Sequence, residues 1–268
     1  MRITVLIDNQ PVDGLYNEWG LSLYIEHNGH RILLDTGASE KFAENAVSLQ
    51  TELDRVEYGV LSHAHYDHAD GMARFFELNT KASFYLRSGT EENCYSGEGA
   101  DRHYIGIRQG ILSQYSERIR YVDGVFELYD GAYLLPHSSD MSEAGKRAHM
   151  YLLRDGEWQT DLFSHEQSLV LETEKGLVVF NSCCHGGADT IIKETEQFLR
   201  RPVYALFGGL HLFRSKDSAV KRMASALADS GVAKIYTGHC TGERAMELLS
   251  ERLGDVLVPI SPGLVVDI

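Results

Sequence analysis

The sequence predicts an α/β protein in which two sheets pack together and helices cover the outside. Three observations carry this expectation. Each half of the chain opens with a strand pair, at 21–26 with 31–35 and at 168–172 with 177–181. Each pair gives way to a mixture of short strands and amphipathic helices. Between the halves lies a stretch, about 87–165, that is rich in Gly, Ser, Tyr and charged residues and has little periodicity.

In order along the chain, residues 1–8 read as a strand that soon meets an acid. No small-residue cleavage site follows, so this is not read as a secretory signal. Strands 21–26 and 31–35 join at Asn28-Gly29, a strong hairpin signal. Phe42, Ala46 and Leu49 fall at helical spacing in 38–49. Residues 56–62 read as a strand ending in a histidine cluster, and Asp70 is placed to cap a helix carrying Met72, Phe75 and Phe76. Residues 82–86 form another strand. The middle reads as long loops with strands at 127–129, 132–135 and 151–154. Loops of that length in a compact domain usually serve function. Regular patterning then resumes, with helices at 190–199, 218–230 (stopped by Gly231) and 243–253, and strands at 203–207, 234–237 and 264–266. The expectation is one domain spanning 1–268, with 87–165 framing a substrate.

Composition narrows the function. The chain has 268 residues, 39 acidic and 25 basic, for a net charge of −14. Phosphate backbones need clustered Lys and Arg, so a nucleic-acid partner is not expected. A small substrate, including an anionic one in a local basic pocket, remains compatible. The longest apolar runs, such as 177–180, are far too short to span a membrane. The four cysteines, Cys94, Cys183, Cys184 and Cys240, show no disulfide framework, which fits a reducing cytoplasm.

The most informative segment is Ser62-His63-Ala64-His65-Tyr66-Asp67-His68-Ala69-Asp70-Gly71. Three histidines and an aspartate fall within six residues, after an apolar strand and before a helix. Imidazole nitrogens and a carboxylate suit zinc, iron or manganese. His63 and His65 alternate and so share a side of an extended backbone, whereas Asp67 and His68 can point to a second position. Two later segments place His185 and His239 just past apolar strands. His211 and His165 read as substrate contacts or supports, and His27, His30, His103, His137 and His149 as structural or surface residues.

These residues resemble the metallo-β-lactamase superfamily. The resemblance rests on His63, His65, Asp67 and His68 in an H-x-H-x-D-H pattern, preceded by Leu33-Leu34-Asp35-Thr36-Gly37. Glu166-Gln167, Cys183-Cys184-His185-Gly186-Gly187, Gly208-Gly209-Leu210-His211-Leu212 and His239-Cys240-Thr241-Gly242 look like the branch around 7,8-dihydropterin-6-methyl-4-(β-D-ribofuranosyl)-aminobenzene-5'-phosphate synthase. The resemblance implies a four-layer αββα sandwich and two divalent metal ions, zinc first, with iron or manganese as alternatives. One ion would take His63, His65 and His185, and the other Asp67, His68 and His239. His165 competes with His185, because other members carry a histidine ligand there. Asp35 would orient a histidine ligand. Cys183 stands where hydrolytic members place a bridging aspartate. It would support the ligands from behind, bridge the ions as a thiolate, or leave the bridge missing and the second site weak.

The implied activity is hydrolysis of an ester, phosphoester or lactone-like bond in a small molecule by metal-activated water. Asp67 would accept a proton or serve as a ligand, and His211 would contact the substrate or leaving group. Arg102, Tyr104 and Arg108 would frame the substrate. The alternatives are a dihydropterin synthase-like transferase releasing pyrophosphate, and an iron-dependent sulfur or oxygen redox enzyme.

Overall fold

The computed structural model describes residues 1–137 and 149–268; the part of the loop-rich stretch at 138–148 lies outside the described residues. In chain order the strands are β1 (Arg2–Ile7), β2 (Ser22–His27), β3 (His30–Leu34), β4 (Tyr58–Val60), β5 (Ser83–Arg87), β6 (Cys94–Ser96), β7 (His103–Tyr104), β8 (Ile119–Val122) and β9 (Phe126–Tyr129). They continue as β10 (Ala132–Pro136), β11 (Met150–Arg154), β12 (Glu157–Thr160), β13 (Gln167–Thr173), β14 (Gly176–Phe180), β15 (Val203–Phe207), β16 (Lys234–Thr237), β17 (Leu257–Pro259) and β18 (Val265–Asp267). One seven-stranded sheet runs β18-β1-β2-β3-β4-β5-β8, and a second runs β17-β16-β15-β14-β13-β10-β9.

The strand sequences explain the layering. Runs such as Leu177-Val178-Val179-Phe180 are apolar on both faces because both faces are buried. Val178 and Phe180 turn inward with Ile25, Ile32, Leu34, Leu169 and Phe207 to fill the space between the sheets. Val179 turns the other way, toward Ile191, Val220 and Leu248 of the helices at Ala188–Leu199, Asp217–Asp229 and Glu243–Leu253. On the first sheet Leu33 and Phe84 face Phe42, Phe75 and Phe76 of the helices at Lys41–Ser48 and Met72–Leu78. The result is the αββα sandwich that the resemblance implied.

The hairpin at Asn28-Gly29 forms as expected, both residues having positive φ (50° and 85°) and closing His27 against His30. Two expectations are corrected. The middle stretch is more regular than its composition suggested, since β12-β11-β6-β7 form a separate four-stranded sheet. Asp70 does not cap the helix of Phe75: Gly71 is the capping residue there, while Asp70 ends the short helix Tyr66–Ala69 and accepts the amide of Arg108 at 2.8 Å.

Strand direction gathers the chemistry. β3 is parallel to β4, and β14, β15 and β16 are mutually parallel. Their carboxyl ends release Asp35, Ser62-His63, Cys183, His211 and His239 along one edge of the sandwich. Antiparallel β13 begins at that same edge, just after His165 and Glu166.

Candidate metal centre

Six predicted ligands converge. The rings of His63 and His65 are 4.6 Å apart, those of His63 and His185 4.9 Å, and those of His65 and His185 5.1 Å. The Nε2 atoms of these three histidines are buried and have no hydrogen-bond partner among the described residues. Nearby, His68 Nε2 and His239 Nε2 are 3.2 Å apart, with Asp67 Oδ2 at 3.7 and 3.5 Å from them.

Hydrogen bonds fix which nitrogen of each ring carries its proton. Asp35, fully buried, accepts Ser62 N at 2.7 Å on one oxygen, and Ser62 Oγ at 2.6 Å and His68 Nδ1 at 2.8 Å on the other. Ser62 Oγ, having donated to Asp35, accepts from His63 Nδ1 at 2.8 Å. His239 Nδ1 donates to Asn9 Oδ1 at 3.1 Å, and Asp8 accepts the His239 amide at 2.9 Å. His63, His68 and His239 therefore all place protons on Nδ1 and turn Nε2 toward the centre.

Charge follows from this arrangement. Burial first, and neighbouring imidazoles second, hold His63, His65 and His185 well below the ordinary histidine range. Burial brings His239 down to about 3. Burial also opposes charge on His68, but Asp67 and Asp35 outweigh it and raise this group to about 9. Two imidazole nitrogens can stand 3.2 Å apart only with a proton or a cation between them. That separation suits two nitrogens each about 2.0–2.1 Å from one tetrahedral ion. The donor set thus fits divalent metal, and the unpartnered Nε2 atoms are the structural observation that says so.

His185 turns an unpartnered Nε2 toward His63 and Cys183, whereas both ring nitrogens of His165 have partners. His165 Nδ1 accepts the amide of Ala64 at 3.1 Å, so its proton sits on Nε2, 3.1 Å from Asp161 Oδ2. With these bonds made, His165 offers no free lone pair, although its ring also lies with His65, Cys94 and Asp161 in a buried group of possible ligand atoms. It holds the backbone between His63 and His65 instead. Cys94 Sγ lies 3.8 Å from the same Nε2.

Cys183 is not behind the ligands. Its Sγ is 3.3 Å from His68 Nε2 and joins the ligand atoms of both histidine groups. Cys184 points away, with its Sγ 3.5 Å from Asn181 O, and packs in the helix-side core. Arg102 packs over the rings of Tyr151 and Trp158 at 4.3 and 4.5 Å, and the Tyr104 hydroxyl donates to Ile107 O. Both have structural partners where a substrate-framing role was expected. Arg108 is exposed.

The sequence reading missed several supports. Asp8 and Asn9 orient His239, Asp161 orients His165, and the Phe163 ring stacks on His185 at 4.2 Å. An acid ending an apolar strand was a usable signal for Asp8, as it was for Asp35; Asp161 lies in a loop and gave none. Glu166 holds the loop that carries His185, and Gln167 fastens the two halves together. Glu166 accepts the amides of His185 and Gly186 at 2.9 and 3.2 Å, while Gln167 Nε2 donates to Leu61 O and Tyr85 O at 2.8 and 3.0 Å.

Five of the ten described non-glycine residues with positive φ lie in this region: Asp35 (57°), Phe163 (52°), Cys184 (47°), His211 (50°) and His239 (45°). Each costs on the order of 1 kcal/mol, and such strain gathers where side-chain placement outweighs backbone ease. At the rim, Trp19 and Phe213 are 41% and 38% exposed, their rings 5.3 Å apart, and Trp19 lies 5.3 Å from His239.

The fold and the histidine motif are similar to those of the metallo-β-lactamase superfamily, whose family model matches residues 20–144. The chain is 27% identical to the 7,8-dihydropterin-6-methyl-4-(beta-D-ribofuranosyl)-aminobenzene-5'-phosphate synthase of Methanocaldococcus jannaschii, with 94% of this chain and 90% of that protein covered. The crystal structure of Tm1679, a metal-dependent hydrolase of the beta-lactamase superfamily, is similar at a TM-score of 0.86 and 28% identity, covering 100% of this chain and 99% of that one. A diphosphatase from the PhnP family shares the fold at a TM-score of 0.59 and 14% identity, covering 100% of this chain and 97% of that one. Among the described residues, no helix is long and apolar enough to cross a membrane.

Proposed function

We propose that the protein is a metal-dependent hydrolase acting on an ester, phosphoester or lactone-like bond of a small molecule. The observation that supports it is the facing pair of Nε2 atoms on His68 and His239, 3.2 Å apart, beside three buried Nε2 atoms without partners. His63, His65 and His185 would hold one divalent ion, and Asp67, His68 and His239 the other, with zinc best suited to the donors. When bound, these ions supply Lewis acidity and bring the pKa of water from 15.7 to about 7.

The rest is done by the chain. Asp35 and Ser62 keep the protons of His68 and His63 on Nδ1, so that Nε2 stays available. Asp67 Oδ2 accepts the proton of the attacking water when it is not itself a ligand. His211, half-buried, with its ring 4.3 Å from that of His185 and its Nδ1 unpartnered, contacts the leaving group. Trp19 and Phe213 border the entrance, where Arg214 stands 5.1 Å from the Phe213 ring and can meet an anionic substituent.

The test is turnover of a panel of aryl phosphodiesters, aryl esters and lactones by zinc-loaded protein. Asp67→Asn should lower kcat/KM by roughly 10²-fold or more on any substrate turned over. A loaded protein inert on the whole panel would overturn the hydrolase reading. The dihydropterin synthase named among the relatives supports a second reading, group transfer with release of pyrophosphate. Pyrophosphate release from a dihydropterin diphosphate that requires an aminobenzene acceptor would support it over hydrolysis.

A further inference from the structure

We propose that Cys183 is a thiolate ligand shared by the two ion positions, so that the loaded centre is joined through sulfur. This rests on the two-ion reading above and adds to it the atom that links the ions. The ligand atoms of His63, Cys183 and His185 all lie within 4.8 Å of one another, and so do those of His68, Cys183 and His239. Among the described residues, Cys183 is the one side chain that belongs to both groups.

The local fold holds the sulfur there. β14 ends at Phe180, and the next three residues are pinned from several directions. Asn181 Oδ1 accepts the Cys184 amide at 2.7 Å, and Ser182 O accepts the Gly209 amide at 2.8 Å. Asn181 Nδ2 donates to His137 Nε2 at 3.0 Å and to Ser168 Oγ at 3.1 Å. With its backbone fixed on both sides, Cys183 has little freedom to turn its sulfur away. Cys240 Sγ lies 3.4 Å from the Cys183 sulfur. A carboxylate joins two ions with two oxygens, whereas a thiolate uses one atom with several lone pairs. Sulfur also favours zinc or iron over magnesium or manganese. On binding, the Cys183 thiol gives up its proton to solvent.

The experiment is titration of metal-free protein with cobalt(II) chloride, followed by near-ultraviolet absorption from sulfur-to-cobalt charge transfer. A shared thiolate predicts a band that grows with the first equivalent and again with the second. Cys183→Ser should lose the band at both steps, Cys183→Asp should bind two cobalt ions without it, and Cys240→Ser should keep it. A band that stops growing after one equivalent would make Cys183 a ligand of one ion only and overturn the proposal. So would a band that survives Cys183→Ser, or two bound cobalt ions with no band. Each of these results leaves the hydrolase reading standing, whereas failure of the wild type to take up cobalt overturns both. The wild-type titration decides even if a variant fails to fold.

Discussion

Replacing Asp35 with asparagine should disturb both halves of the centre, although Asp35 reaches no ion position itself. The substitution is sterically clean: Asp35 has φ of 57°, and asparagine tolerates that left-handed conformation about as well as aspartate. What changes is the placement of protons around a carboxylate that accepts three hydrogen bonds. If the amide oxygen keeps the Ser62 backbone N–H, the new NH₂ faces both the Ser62 hydroxyl and His68 Nδ1. The hydroxyl can escape by turning to donate to His63 Nδ1, but that drives the His63 proton onto Nε2, toward the centre. His68 can accept from the new NH₂ only in the same way, by moving its own proton onto Nε2, toward His239. One buried donor left without a partner costs about 1–3 kcal/mol, which sets the expected loss of stability. Loss of orientation at His63 and His68 should weaken metal affinity by about 10- to 100-fold. Denaturant unfolding of metal-free protein gives the first quantity, and competition with a chelator gives the second. Wild-type metal affinity in Asp35→Asn would refute the idea that Asp35 sets the tautomers.

Three other expectations come from the same geometry. His165→Gln should cost about 1–3 kcal/mol in unfolding experiments, since Ala64 N and Asp161 lose a buried partner, yet metal stoichiometry should stay as in the wild type. Gly208→Ala should fail to accumulate as folded protein or lose about 4 kcal/mol or more, because φ is 139° and an added Cβ would lie 1.9 Å from Asn181 O, on the loop that carries Cys183. Soluble expression and melting would show this. His27 is held below its ordinary pKa, first by burial, so its folded form favours the neutral ring. Its contribution to stability is complete above the unfolded value near 6.5 and is lost as pH falls through the folded value. His27→Gln should therefore flatten the acid limb of stability against pH, and an unchanged limb would contradict this.

Much of the architecture was legible because it rests on periodicity. Runs apolar on both faces, such as 177–180, announce strands buried between two layers, and the Asn28-Gly29 turn announces its own hairpin. The middle stretch was not legible in the same way. β6 and β7 have three and two residues, too short for alternation to register; β6 is made by pairing with distant β11, and β7 by pairing with β6. At the centre, the residue types and the strand-end positions were readable, so His63, His65, Asp67, His68, His185 and His239 could be named together. The roles of His165 and Cys183 could not, because they depend on which atom faces which. His165 differs from His185 through one backbone N–H and one carboxylate, Ala64 and Asp161, and neither is a local pattern. Cys183 differs from Cys184 only in the direction a turn gives its side chain.

Both the hydrolase reading and the shared thiolate depend on His185, not His165, completing a two-ion centre. Metal content by plasma emission spectrometry probes this without any substrate, in untagged wild type, His185→Ala and His165→Ala. About two divalent ions per chain are expected in the wild type and in His165→Ala, and about one in His185→Ala. A wild type that takes up no metal on reconstitution, or a His185→Ala variant that keeps both ions while His165→Ala loses one, would contradict it.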